Sequence, residues 1–210
     1  MTTPAPPAPR IAPLFDGSVD VVGDVHGEID ALVRLLQVLG YDADGRHRER
    51  RRLVFVGDLC DRGPDSPAVF ALVQRLHAAG RAQCVLGNHE LNLLRGAAKH
   101  GNGWFFDDDH DRAQGRFLQS KRVVPRDRDA ILRFVASLPV ALVRDDLRVV
   151  HAAWHEPSLR RFATDLAALP YLELYESFAT DAVEVQERAR LAQAAAEERA
   201  PYEHRLTDRN

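Results

Sequence analysis

The chain has 210 residues, enough for one domain with a sizeable core or for one domain and an appendage. Charged residues make up 28% and hydrophobic residues 45%, while a net charge of −3 supplies no field that would gather nucleic acid or a membrane surface. No apolar run of about 18 residues is present, so no membrane-spanning helix is expected.

The opening MTTPAPPAPR is proline-rich and lacks an apolar h-region, which argues against a signal peptide and makes residues 1–16 a disordered leader. Val19–Val22 then reads as a first strand. Ile29, Leu32, Val33, Leu35, Leu36 and Leu39 follow at helical spacing, with Gly40 as a left-handed stop. The basic run Arg46-His47-Arg48-Glu49-Arg50-Arg51-Arg52 reads as a solvated loop rather than a polyanion patch.

A second strand is expected over Arg52–Val56, then a helix capped by Ser66 with Pro67 at its first position and Val69, Phe70, Leu72, Val73 and Leu76 as its stripe. A third strand at Ala82–Leu86 completes β-α-β-α-β, which the right-handed crossover rule makes a parallel sheet. A helix over Glu90–Lys99 leads to an irregular stretch, His100–Pro125, whose apolar island Gly103-Trp104-Phe105-Phe106 is either a loop pinned by aromatics or a substrate-side lid. Asp127–Leu138 reads as helix, and Val140–Val143 with Leu147–His151 as a hairpin opening a second sheet. From Pro157 to about Ala200 the composition is helical, broken near Pro170.

Chemistry concentrates where the strands end. Gly23-Asp24-Val25-His26-Gly27, Gly57-Asp58-Leu59-Cys60-Asp61-Arg62-Gly63, Gly87-Asn88-His89-Glu90 and Val149-Val150-His151-Ala152 each follow or close a short apolar run. In open α/β sheets ligands collect at such exits. Asp24 and His26, two apart, project to one side of an extended segment and can share a cation. Asp58 has two carboxylate oxygens and can serve two ions, and mixed nitrogen and oxygen donors favour manganese, iron, zinc or nickel over calcium. Cys60 and Cys84 form neither a disulfide framework nor a zinc spacing, and suit reduced packing residues in a cytoplasmic protein.

These four blocks, in this order, resemble the calcineurin-like metallophosphoesterases, and within them the protein-phosphatase and diadenosine-tetraphosphatase branch. The resemblance implies an α/β fold, a β-sandwich flanked by helices, with the core at residues 17–156 and a mostly helical segment at 157–210. It also implies two divalent metal ions, manganese foremost, the first held by Asp24, His26 and Asp58 and the second by Asp58, Asn88 and His151. His89 would protonate the leaving group, oriented by Asp61, and Arg62 would grip phosphate oxygens. Direct attack by metal-activated water would then cleave a phosphomonoester or polyphosphate bond. The substrate class stays open among a phosphoprotein, a nucleotide and a dinucleoside polyphosphate.

The family's late Gly-His ligand has no counterpart here: no glycine follows Gly115, and the only histidines after His151 are His155 and His204. The chain therefore reads as C-terminally truncated, with an incomplete second sheet and water or His204 in the vacant ligand position. A competing expectation is a catalytically impaired relative that binds metal and acts through protein contacts.

Overall fold

The computed structural model describes residues 9–163 and, farther on, residues 171, 173, 175–177, 179 and 180. The chain divides into two compact units, Met1–Ala168 and Leu169–Asn210. In the second, the described residues are helical; the expected break at Pro170 and the tail histidine His204 lie outside the described residues.

Strand β1 (Ile11–Pro13) opens the first unit, followed by β2 (Val19–Val22), helix α1 (Ile29–Leu39), β3 (Arg52–Phe55), α2 (Ser66–Ala78) and β4 (Ala82–Cys84). Helices α3 (Asn88–Leu94), α4 (Gly103–Phe106), α5 (His110–Ala113) and α6 (Pro125–Ser137) come next, then β5 (Ala141–Arg144), β6 (Leu147–Val150) and α7 (Glu156–Ala163). One sheet has the order β2-β3-β4, parallel throughout; the other has the order β1-β5-β6. The fold is α/β, with β2, β3 and β4 forming the expected parallel sheet. Leu14, Val54, Val85, Leu142 and Val149 form one buried cluster drawn from both sheets, which face each other across it.

Strand β1 corrects the expected leader. Residues 11–13 pair in parallel with β5 and Leu14 is buried, so any leader ends before residue 11. The partner strand lies some 130 residues away, where no local pattern could announce it. Pro13, which lacks an N–H, sits on an edge strand, where that loss is tolerated.

Helix α1 ends at Gly40 with φ 91°, as its sequence implies. Only Leu32 and Leu36 of its apolar stripe are buried; Val33 and Leu35 face outward. Helix α2 is capped one residue earlier than expected: the Asp65 carboxylate accepts from the Ala68 N–H at 3.0 Å. Ser66 is thereby free to accept from the Asp61 N–H at 2.9 Å, a contact that belongs to the site. Helix α3 stops at Leu94, short of the expected Lys99.

Candidate metal and phosphate site

Three loops leave the C-terminal ends of β2, β3 and β4, and backbone bonds lash them together. The Val25 and His26 N–H groups both donate to the Asp58 carbonyl, at 3.0 and 2.9 Å, and the Gly27 N–H donates to that of Leu59. A Cβ on Gly63 would stand 2.0 Å from the His26 carbonyl oxygen, and one on Gly87 2.4 Å from the Asp58 nitrogen. The loops meet closely enough that only glycine fits at those two points.

Glu90 fastens this junction from beneath. It is fully buried, and its carboxylate accepts from the N–H groups of Asp58 and Leu59 at 2.8 Å each and of Gly87 at 3.1 Å. Burial, then the Asp58 charge, raises its pKa, against the pull of the backbone donors. Glu90 therefore shapes the loops rather than facing the site. Cys60 and Cys84 are buried free thiols, and burial pushes both well above their ordinary pKa.

The eight residues singled out in the sequence converge on one cluster. Donor atoms of His26, Asp58 and His89 lie within 4.8 Å of one another, as do those of Asp24, Asp58 and His151. Asp58 belongs to both groups, and His26 Nε2 also lies 3.9 Å from Asp24 and 3.9 Å from Asp58, so Asp24, His26 and Asp58 stand together around one point. His26, Asp58, Asp61 and Arg62 all hold positive φ, at 46°, 49°, 73° and 68°. Such strain costs of the order of 1–3 kcal/mol per residue and concentrates at functional sites.

Hydrogen bonding settles which face each imidazole offers. His26 Nδ1 lies 3.0 Å from the Cys60 carbonyl oxygen and His151 Nδ1 lies 2.9 Å from that of Val56, so each Nδ1 carries the proton and donates. Each Nε2 then presents a lone pair to the cluster, as in a metal-ligating histidine braced by a carbonyl. His151 Nε2 faces Asn88 Oδ1 at 2.9 Å, so an imidazole lone pair and an amide oxygen converge as two ligands of one cation would. Asp58, with its side chain 5% exposed, faces imidazoles at 3.5–3.9 Å and has no Lys or Arg partner among the described residues. A buried carboxylate in that position needs compensating charge. The donor set thus fits divalent cations.

His89 is turned away from Asn88. Its Nδ1 meets Asp61 Oδ2 at 2.6 Å, and this contact holds the imidazole pKa above its ordinary value against the opposing effect of burial. Asp61 Oδ1 accepts from the Trp104 indole N–H at 2.7 Å. The Arg62 guanidinium lies 3.2 Å from both His26 Nε2 and His89 Nε2 and has no carboxylate partner among the described residues. A cleft of about 320 Å³ opens beside it, lined by Glu28, Phe117, Leu118 and Gln119 among others.

Trp104 had no local signal in the sequence: its acceptor lies 43 residues upstream. Of the two readings open for the aromatic island, the structure supports the pinned loop, with Trp104 3% and Phe105 4% exposed. In the acidic run beside it, Asp111 is buried and accepts from the Gly101 N–H. The remaining histidines stand elsewhere. His47 contacts the Leu39 carbonyl, His77 packs on Phe134, and His155 bonds Ser158 at the start of α7.

Known proteins align with this arrangement. The chain is 44% identical over 79 residues to an asymmetrical bis(5'-nucleosyl)-tetraphosphatase of Bacillus velezensis, covering 36% of this chain and 32% of the relative. It is 32% identical over 167 residues to a symmetrical bis(5'-nucleosyl)-tetraphosphatase of Pectobacterium carotovorum, covering 77% and 53%. The chain thus spans a third to a half of the length of these curated relatives. A cold-active protein-tyrosine phosphatase from a psychrophilic Shewanella shares the fold, with a TM-score of 0.52, 24% identity and coverage of 78% of this chain and 50% of that one. Residues 17–184, most of the chain and all four strand-end loops, match the family described as calcineurin-like phosphoesterase, and the chain belongs to that family.

Proposed function

We propose that this chain hydrolyses a phosphoester or phosphoanhydride bond at the cluster around Asp58, with Asp24, His26, Asp58, Asn88 and His151 as metal ligands. The observation that carries this reading is Asp58 itself, a buried carboxylate shared by two donor groups. Bound divalent ions, manganese by preference, would supply Lewis-acid charge to phosphate oxygens and lower the pKa of water at the site. The cytoplasm is the proposed location, in keeping with two buried, unpaired thiols.

The chain's own groups account for the rest. The Arg62 fork, which faces the site beside His26 and His89, offers two N–H donors to phosphate oxygens. In hydrolysis a P–O bond forms to water and the P–O bond to the leaving group breaks. The departing oxygen takes its proton from His89 Nε2, while Asp61 holds Nδ1 on the far side of the ring. A module that only bound metal would have no use for this acid dyad, which favours an enzyme over the binding alternative.

Among substrates, a dinucleoside polyphosphate is our choice. Two features support it: the relatives named for that activity, and the cleft beside Arg62, whose Phe117 and Leu118 offer apolar surface to a base while Gln119 offers an amide. The test compares hydrolysis of a bis(5'-nucleosyl) tetraphosphate, a phosphopeptide and 4-nitrophenyl phosphate, with manganese and after chelation. Manganese-dependent turnover fastest on the dinucleotide is expected. Faster phosphopeptide turnover would replace the substrate, and no turnover of any of the three would overturn the enzyme reading.

A further inference from the structure

Asp61 and Arg62 are consecutive non-glycine residues in the left-handed region, which L side chains rarely adopt. Such a turn persists only where its surroundings over-determine it. Besides Ser66 and His89, two of its contacts come from the 101–104 segment. The Gly101 carbonyl accepts from the Arg62 N–H at 3.1 Å, and the Trp104 indole donates to Asp61 Oδ1 at 2.7 Å.

That segment is itself anchored. Asp111 Oδ2 accepts from the Gly101 N–H at 2.6 Å, and the buried Asn102 side chain bonds the Lys99 N–H and the Ala97 carbonyl. Trp104 packs against Phe70 of α2, ring centroids 6.1 Å apart, and its carbonyl accepts from the Val123 N–H at 3.0 Å. Asp61 is fully buried, with one oxygen committed to Trp104 and the other to His89. With the indole donor removed, Oδ1 would be left unsatisfied in the interior and the carboxylate would be free to rotate away from His89.

We infer that Trp104 is a positioning residue for proton transfer: its indole N–H fixes the rotation of the Asp61 carboxylate, which in turn aims His89 at the leaving oxygen. This rests on the proposed role of His89 as the leaving-group acid. The aromatic island then serves the chemistry from within the core.

The test uses the full chain with manganese and two substrates of unlike leaving groups, 4-nitrophenyl phosphate and an alkyl phosphate. Trp104→Phe keeps an aromatic ring against Phe70 and removes the donor. Because general acids contribute about 10²–10⁴-fold, loss of their aim should lower kcat for the alkyl ester roughly 10–100-fold, with a smaller loss on the aryl ester and little change in KM. In a double-mutant cycle, Trp104→Phe should add almost nothing to Asp61→Asn. Equal losses on both substrates, or additive losses in the cycle, overturn the inference.

A readout independent of activity covers the case in which Trp104→Phe fails to fold. In a Trp154→Phe background the single indole N–H resonance belongs to Trp104, and Asp61→Asn should move it upfield. An unmoved resonance overturns the contact. A His89→Ala variant with no leaving-group preference overturns the acid reading and this inference together. Selectivity in His89→Ala without selectivity in Trp104→Phe overturns this inference alone.

Discussion

The β2-β3-β4 sheet has two ends, both rich in charge, and they are built on opposite plans. At the N-terminal end, the arginines find partners: Arg51 grips Asp20 through two nitrogens, Arg46 pairs with Asp44, Arg81 donates to the Asp44 carbonyl, and Arg52 lies 3.8 Å over the Phe15 ring. At the C-terminal end, among the described residues, Asp58 has no Lys or Arg partner and Arg62 no carboxylate. A basic run whose charges are answered locally is a structural feature. Single charges left unanswered around a common space are a binding site. Charge counting would have ranked these two regions the other way round.

Substitution can break that contrast most severely at Asp58. Asp58→Asn removes negative charge from both donor groups, and phosphatase activity should fall below a few per cent of wild type while the fold, followed by circular dichroism, survives. A variant that retained more of the rate would show that Asp58 is not shared between two ions. Next in size is His89→Ala, which should cost about 10²–10⁴-fold on an alkyl phosphate and far less on an aryl phosphate, whose leaving group needs no proton. Steady-state rates on the two esters decide it, and uniform loss would move His89 to the metal site.

A direct comparison of the two ends comes from paired arginine substitutions. Arg62→Ala removes charge-assisted bonds worth about 1.5–3 kcal/mol, so kcat/KM should drop by roughly 10–100-fold. Arg50→Ala, in the basic run, should leave kcat/KM unchanged. If Arg50→Ala also lowered it, the N-terminal end would have to take part in substrate capture.

The site was legible from the sequence to the extent that it rests on residue types at strand ends. Asp24, His26, Asp58 and Asn88 follow the strands of the parallel sheet, which can only bring such loops together at one end, while His151 arrives from β6 of the other sheet. What stayed hidden depends on contacts remote in sequence. Strand β1 pairs with β5 across the chain, and Trp104 meets Asp61 across 43 residues. The cap of α2 was misplaced for a related reason: Ser66 and Asp65 are both good caps, and only the demand of the Asp61 N–H settles which of them is used. The part of Glu90 was likewise out of reach, since its carboxylate accepts from the Asp58 and Leu59 N–H groups some 30 residues upstream.

The smallest expected effect is at the paired end, where pH separates pairing from mere proximity. Hydrogen bonding from Arg51 is the main cause holding the Asp20 carboxyl below its ordinary pKa, and the Tyr41 hydroxyl adds a bond at 2.7 Å. A carboxyl whose pKa is lower folded than unfolded contributes stability that is fully present above the unfolded value, near 4. That contribution is lost as pH falls through the folded value. Asp20→Asn should therefore cost about 1 kcal/mol in urea unfolding at pH 7, in keeping with a pair of which Arg51 is about one-third exposed. The gap between variant and wild type should narrow as the pH is lowered below about 4. A gap that persisted undiminished at pH 2 would trace the loss to packing around Tyr41 rather than to the charge on Asp20. The N-terminal end would then owe its stability to shape, and the contrast with the C-terminal end would no longer be one of paired against unpaired charge.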